Sequence, residues 1–232
     1  MTTWQDVWKR KASKHAPGGF SLAALMELDG YDISCSAVTP DDFVAFSDRL
    51  IEKLELKPGD SMLEIGCGAG ALCKAVRDRG IHVAGVDYTP ELVEICRMAI
   101  PDGHFTAAEA AAFDLPRKDY DAVVSHSVFH YFPSVEYAVD AFRRMVDHCR
   151  PGGIVALTDM HDLRRREEHE RRRKEMIGEE EYNRLYKELR HTYYDPAVFE
   201  KTADEICSEH WLEDQFLKSE SGKFKFNFFA RR

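Results

Sequence analysis

Between Ser61 and Asp159, short apolar runs of strand length alternate with amphipathic runs of helical length. No other feature restricts the fold as strongly. The runs at 62–66, 82–87, 104–107, 120–125 and 153–158 read as strands, and 69–79, 90–99 and 134–148 read as helices. The third crossover, 109–117, is too short for a clear helix signal. Such alternation is the pattern of a parallel sheet with helices on both faces. Ahead of it, Thr39-Pro40-Asp41-Asp42 has the character of a helix start. Phe43, Phe46, Leu50, Ile51 and Leu54 then follow at helical spacing, until Lys57-Pro58-Gly59-Asp60 ends the helix.

The flanks differ from this centre. Section 1–40 holds Trp4 and Trp8 among Lys9, Arg10, Lys11 and Lys14, a Pro17-Gly18-Gly19 turn, and an apolar stretch over 22–28. It reads either as a lid over a substrate or as an amphipathic helix docking its tryptophans. Section 161–190 carries eight Arg, two Lys, eight Glu and one Asp. These signs nearly cancel, so a solvated helix with i,i+4 pairs is expected rather than a nucleic-acid arm. A helix over 196–207, a strand near 211–218 and an alternating strand over 223–229 with one buried face complete the chain. The expected organisation is one domain: N-terminal section 1–40, core 41–160, charged insertion 161–195 and closing elements 196–232.

Composition removes several functions. At 232 residues the chain can bury a sizeable core, and a net charge of −9 argues against gripping a phosphate backbone. No apolar run approaches the roughly 20 residues that span a bilayer, and the start lacks a signal-peptide pattern. Six scattered cysteines without a CxxC pair read as reduced, mostly buried thiols. A cytoplasmic location is therefore expected, with neither nucleic acid nor membrane as partner.

The strongest local signal is Leu63-Glu64-Ile65-Gly66-Cys67-Gly68-Ala69-Gly70, which follows a strand and opens a helix. Closely spaced glycines let backbone turn sharply against a ligand, and the helix start offers unpaired N–H groups. Asp87 comes twenty-one residues after Gly66, at the end of the next strand. From there its carboxylate can accept hydrogen bonds from a ribose diol. A dinucleotide site is the competitor, but its fingerprint is G-x-G-x-x-G, whereas the glycines here run G-x-G-x-G behind a glutamate.

That arrangement resembles the class I S-adenosylmethionine-dependent methyltransferases. The likeness spans Phe43 to Asp159 and extends to His104-Phe-Thr-Ala-Ala-Glu109-Ala110, Tyr120-Asp121-Ala-Val-Val-Ser125-His126 and Cys149-Arg150-Pro151-Gly152-Gly153. It implies a Rossmann-like, doubly wound, mostly parallel seven-stranded sheet with an antiparallel C-terminal strand and helices on both faces. It also implies S-adenosylmethionine as cofactor and S-adenosylhomocysteine as product. Glu64, Gly66, Cys67, Gly68 and Gly70 would shape the methionine end, and Asp87 would hold the ribose. Tyr88, Glu109 and Ala110 would flank the adenine, with Ser125 at the head of the fourth strand's loop. The family more often has Asp where Glu109 stands.

Candidate general bases lie after the fourth and fifth strands, where open sheets present their ligand crevice. They are His126, His130, Tyr131 and His161, since histidine titrates near neutral pH. His126 and His130 are also spaced i,i+4, but no third ligand follows and no metal is expected. The resulting expectation is an O- or N-methyltransferase for a small-molecule metabolite. A nucleic-acid methyltransferase, a non-catalytic cofactor-binding subunit and a nicotinamide enzyme are the alternatives.

Overall fold

Along each central strand, successive side chains enter two different apolar layers, so both faces of the sheet are buried. The computed structural model describes residues 3–13, 19–31, 38–186 and 189–232; Lys14, the Pro17-Gly18 turn and Cys35 lie outside them. The strands are β1 (Ser61–Ile65), β2 (His82–Asp87), β3 (His104–Ala107), β4 (Tyr120–His126), β5 (Cys149–His161), β6 (Glu209–Asp214) and β7 (Lys225–Arg231). They form one seven-stranded sheet in the order β3-β2-β1-β4-β5-β7-β6. β1 to β5 are mutually parallel, and β7 runs antiparallel to both β5 and β6.

Helices α1 (Trp4–Ala12), α2 (Leu22–Met26), α3 (Pro40–Lys53), α4 (Ala71–Arg77) and α5 (Pro90–Ala99) precede β3 in the chain. Phe43, Phe46 and Leu50 of α3 pack with Met62, Val83, Ala122 and Ala156 in the first apolar layer. α6 (Val135–His148) and α9 (Ala197–Ile206) cover the other face, where Phe142 and Phe199 meet Leu63, Val123, Val155 and Phe228. Helix starts follow side-chain chemistry. Thr39 accepts from the Asp42 amide with Pro40 just inside α3, and Ser134 accepts from the Tyr137 amide ahead of α6.

Three expectations need correction. The closing strand does not have one buried face: Phe226 through Ala230 are all buried. β7 lies inside the sheet between β5 and β6, and its side chains enter both apolar layers, Phe229 one and Phe226, Phe228 and Ala230 the other. Asn227, the polar member of that run, is satisfied: its Oδ1 accepts from the Asp159 amide at 3.0 Å and its Nδ2 donates to the Asp214 carbonyl at 3.1 Å. β6 begins and ends earlier than the 211–218 expected, because Gln215 turns the chain by accepting from the Leu217 amide.

The charged insertion is two helices, α7 (Arg166–Ile177) and α8 (Glu179–Tyr186), broken at Gly178 with φ +85°. Pairs such as Arg166–Glu170 do lie on its surface. One side is not solvated, however, since His169 is buried against Phe224. Cys67, Cys73, Cys96 and Cys149 are buried free thiols, and no described helix is long and apolar enough to cross a membrane.

Phe228 is fully buried and meets Phe142 and Phe199 at ring-centroid distances of 5.7 and 6.0 Å. Phe228→Ala is expected to cost about 3–5 kcal/mol in a urea titration, as large-to-small changes in rigid cores do. A loss below about 1 kcal/mol would show that the β7 layer is not well packed.

Candidate active site

The glycine loop turns where β1 leaves the sheet. Gly66 and Gly68 have φ of +80° and +53°, in the left-handed region. A Cβ on Gly66 would lie 2.3 Å from Val128 Cγ2, and one on Gly68 would lie 2.2 Å from Asp29 Oδ1. Both positions therefore exclude side chains on conformation and on space. The Gly66 and Cys67 amides donate to the Val86 carbonyl at 2.7 and 3.1 Å, tying the loop to β2. Asp87, at the end of β2, accepts from the Gly68 amide at 3.0 Å and from the Thr89 amide at 2.8 Å. Its remaining lone pairs are available to a ligand, and it is 7% exposed.

A cleft of about 370 Å³ opens at this edge of the sheet. Glu64, Gly66, Cys67, Gly68, Asp87 and Tyr88 line it, together with Ala108, Glu109 and Ala110. The Tyr88 hydroxyl and Thr89 Oγ1 are buried without a partner. Glu64 accepts the Cys73 thiol at 3.0 Å; burial, with Asp29 and Asp87 nearby, pushes its carboxyl up to about 8. Burial also raises Asp87. Three carboxylates in one cleft suit a cationic ligand.

The third of these, Asp29, had no signal in the sequence. It sits in the turn Glu27–Tyr31 after α2 and accepts from the Ala69 and Ala71 amides at 2.6 and 3.0 Å. This is the start of α4, where unpaired N–H groups and the helix dipole favour an anion. Burial still raises Asp29 to about 7. Forty residues separate Asp29 from the amides it holds, so only tertiary structure reveals the pair. Trp4 and Trp8 of α1 also line the cleft, as a lid would.

Two expected site residues lie elsewhere. Gly70 does not line the cleft; its missing Cβ makes room for Cys96 Sγ, which would lie only 2.5 Å away, so it serves the packing of α4 on α5. Ser125 is 1% exposed and donates to the Ile65 carbonyl at 2.8 Å, locking β4 to β1 instead of facing a ligand. Glu109 reaches the cleft edge but accepts from the Tyr137 hydroxyl at 2.8 Å.

The four candidate bases divide between two cavities. His126 lines the main cleft, where its Nε2 pairs with the Tyr31 hydroxyl at 2.7 Å and its Nδ1 with Thr158 Oγ1 at 2.8 Å. Burial lowers it to about 4. Tyr131 lines both the main cleft and a second cavity of about 180 Å³; so do Trp4, Trp8, Asp29, Tyr31 and Ser127. His130 and His161 belong to the second cavity only, their rings stacked at 4.3 Å. His169 and His191 stand beside them, and burial holds all four imidazoles well below the usual histidine range. Among the described residues no three His, Cys, Asp or Glu side chains converge as metal ligands.

The floor between the cavities is unusual backbone. Ser127, just after β4, and Asp159, at the irregularity of β5 between Leu157 and Met160, both have positive φ, +59° and +65°. Their side chains are joined by a 2.8 Å hydrogen bond from Ser127 Oγ to Asp159 Oδ2. Burial alone would raise Asp159, but Lys225 at 2.7 Å, with His126, holds it down at about 2. Non-glycine residues in this region cost roughly 1–3 kcal/mol each and concentrate at functional sites.

Comparison with known proteins agrees with this geometry. Residues 63–157 match the family model described as a methyltransferase domain. Malonyl-[acyl-carrier protein] O-methyltransferase of Enterobacter lignolyticus is 28% identical over 114 residues, covering 49% of this chain and 44% of that protein. Probable tRNA methyltransferase 9B of Homo sapiens is 35% identical over 108 residues, covering 44% of this chain and 22% of that protein. The chain thus spans less than half the length of either relative. Among solved structures, the N-methyltransferase NodS of Bradyrhizobium japonicum, in complex with S-adenosylhomocysteine, shares the fold. Its TM-score is 0.61 at 16% identity, covering 98% of this chain and 96% of that one. Segment 63–157 is thus similar to a methyltransferase domain, and the chain shares its fold with a solved N-methyltransferase.

Proposed function

We propose that the protein transfers a methyl group from S-adenosylmethionine to an oxygen or nitrogen of a small-molecule metabolite. One observation carries this reading: the glycine loop and Asp87 share a cleft and are joined by the Gly68–Asp87 hydrogen bond, with a second cavity alongside. When bound, the cofactor supplies a sulfonium methyl. That methyl would be donated to the acceptor's lone pair, with the carbon–sulfur electrons remaining on sulfur and the acceptor's proton passing to a base such as His130.

The residues fit such a group. Asp87 would hold the ribose diol, and Asp29 and Glu64 the positive charge of the methionine end. Gly66, Cys67 and Gly68 would form the bed beneath it, with Tyr88, Glu109 and Ala110 around the adenine. Trp4 and Trp8 would exclude water, and holding two reactants in line supplies roughly 7–11 kcal/mol in favourable cases. His130 carries a buried Nδ1 without a partner, so its neutral imidazole can receive the acceptor's proton. His161 stacks behind it, and Tyr131 links its cavity to the cleft. His126 is engaged by Tyr31 and positions that ring.

A compact acceptor fits a cavity of about 180 Å³ better than a polynucleotide does, and a net charge of −9 points the same way. The described cysteines form no disulfide, which suits a reducing cytoplasm. Incubation of the full chain with labelled cofactor and pooled metabolites, read by mass spectrometry, tests the reading directly. Salt-dependent RNA binding with label entering RNA would favour the nucleic-acid alternative.

Asp87→Ala is expected to weaken cofactor binding about 10- to 100-fold while the protein stays folded, the range for a lost charged hydrogen bond. Unchanged affinity by calorimetry would remove Asp87 from the ribose site. His130→Ala is expected to lower turnover by about 100-fold, the order for a lost general base, with cofactor affinity unaltered. An unaltered rate would exclude His130 as the base.

Cofactor affinity should also depend on pH. A cationic ligand favours the ionised carboxylates, so binding releases protons from Asp29 and Glu64 wherever these are partly protonated beforehand. Affinity is then expected to rise as pH passes through about 7 and 8, and to level off above. Glu64→Gln should flatten the upper part of the curve. A flat wild-type profile by calorimetry between about pH 6 and 9 would contradict charge pairing.

A further inference from the structure

Resting on the methyltransferase reading, we propose that the second cavity binds the acceptor through a carboxylate group held by the Arg173 guanidinium. Arg173 stands out by its surroundings. Its neighbours in the charged insertion are matched with acids: Arg166 with Glu170, Arg172 with Glu175 and Glu220, and Lys174 with Glu179. Arg173, in contrast, donates to His191 Nδ1 at 2.7 Å and lies 4.2 Å from the centre of the Tyr186 ring. Among the described residues no carboxylate forms an ion pair with it. A half-buried cation kept among rings is placed to meet an anion from outside.

The cavity's own acids do not fill that role. Asp159 is held by Lys225, Ser127 and Gln215. Glu220 lies on Arg172, and Asp29 is bound by the Ala69 and Ala71 amides. Polar capacity on the walls is nevertheless unspent. His130 Nδ1, His161 Nδ1 and Ser219 Oγ are buried without partners, and all three residues line this cavity. Buried polar atoms left unmatched call for a partner, and here an acceptor molecule supplies it.

Charge and reaction are thus served at different places. Arg173 takes the carboxylate, while the accepting oxygen or nitrogen reaches the seam lined by Tyr31, Ser127 and Tyr131, which the cofactor cleft shares. Met176 and Leu217 add apolar wall between them, suited to an organic body that separates the two groups. The substrate class is therefore a small organic acid bearing a separate hydroxyl or amine.

The test uses the full chain, S-adenosylmethionine carrying a labelled methyl group, and a metabolite pool divided on an anion exchanger at neutral pH. Label is expected in the retained, anionic fraction. Arg173→Gln should raise the KM for that acceptor about tenfold or more, with kcat little changed and cofactor affinity by calorimetry within about twofold. Arg173→Lys, which keeps the charge, should recover part of the loss. Label confined to the unretained fraction, no label from a protein that binds cofactor, or an unchanged KM in Arg173→Gln would each overturn the proposal. Failure of the wild-type chain to bind cofactor would instead overturn the underlying reading of the main cleft.

Discussion

The Asp87 carboxylate is the joint on which this molecule turns. By accepting the Gly68 and Thr89 amides it binds the end of β2 to the loop leaving β1. Two strand ends that are merely adjacent in the sheet become one rigid rim. A charged acceptor makes stronger hydrogen bonds than a neutral one, and more so in a site shielded from water. Asp29 repeats the device from the other side, gripping the next two available amides of the same turn. The loop is thus clamped between carboxylates from two distant parts of the chain, and the cleft inherits their negative character.

Much of this was legible in the order of residues because it is local. Strand β3 and helix α5 fall at the positions their periodicity predicts, and Thr39 and Ser134 start helices through their own side chains. The glycine loop and Asp87 were visible since their spacing is set by one β-α-β unit. Elements governed by tertiary context were read less well. The alternating Lys223-Phe-Lys-Phe-Asn-Phe-Phe run implies a solvated face, but its place between two other strands buries Asn227 and requires partners for it. Likewise β5 extends beyond 153–158 at both ends, because Gly153 lets it pass close to the Asp121 carbonyl and β7 pairs along its far half.

The site divides in the same way. Glu64, Gly66, Gly68, Asp87 and Tyr88 line one cleft, whereas Gly70 and Ser125 lie off its walls, against Cys96 and the Ile65 carbonyl. A motif reports which backbone turn is made, not which of its atoms faces a ligand. Asp29 and Arg173 lacked any local mark, since an acid before a glycine and one arginine among eight in a charged run are ordinary in sequence. What distinguishes each is a partner far along the chain, or the lack of an acidic one. The histidines were noticed singly, but their gathering, with His130 stacked on His161, and His169 and His191 edge-on to His161, depends on the turn after β4, β5, α7 and the segment after α8 meeting.

Trp4, Trp8, Asp29, Tyr31, Ser127 and Tyr131 each belong to the walls of both cavities. Anything that settles in one compartment therefore touches side chains that also bound its neighbour. Thermodynamic linkage makes such influence mutual: whatever factor the first occupant contributes to the affinity of the second is returned in full. A shared partition of this kind is the physical route by which loading of one compartment would be felt in the other.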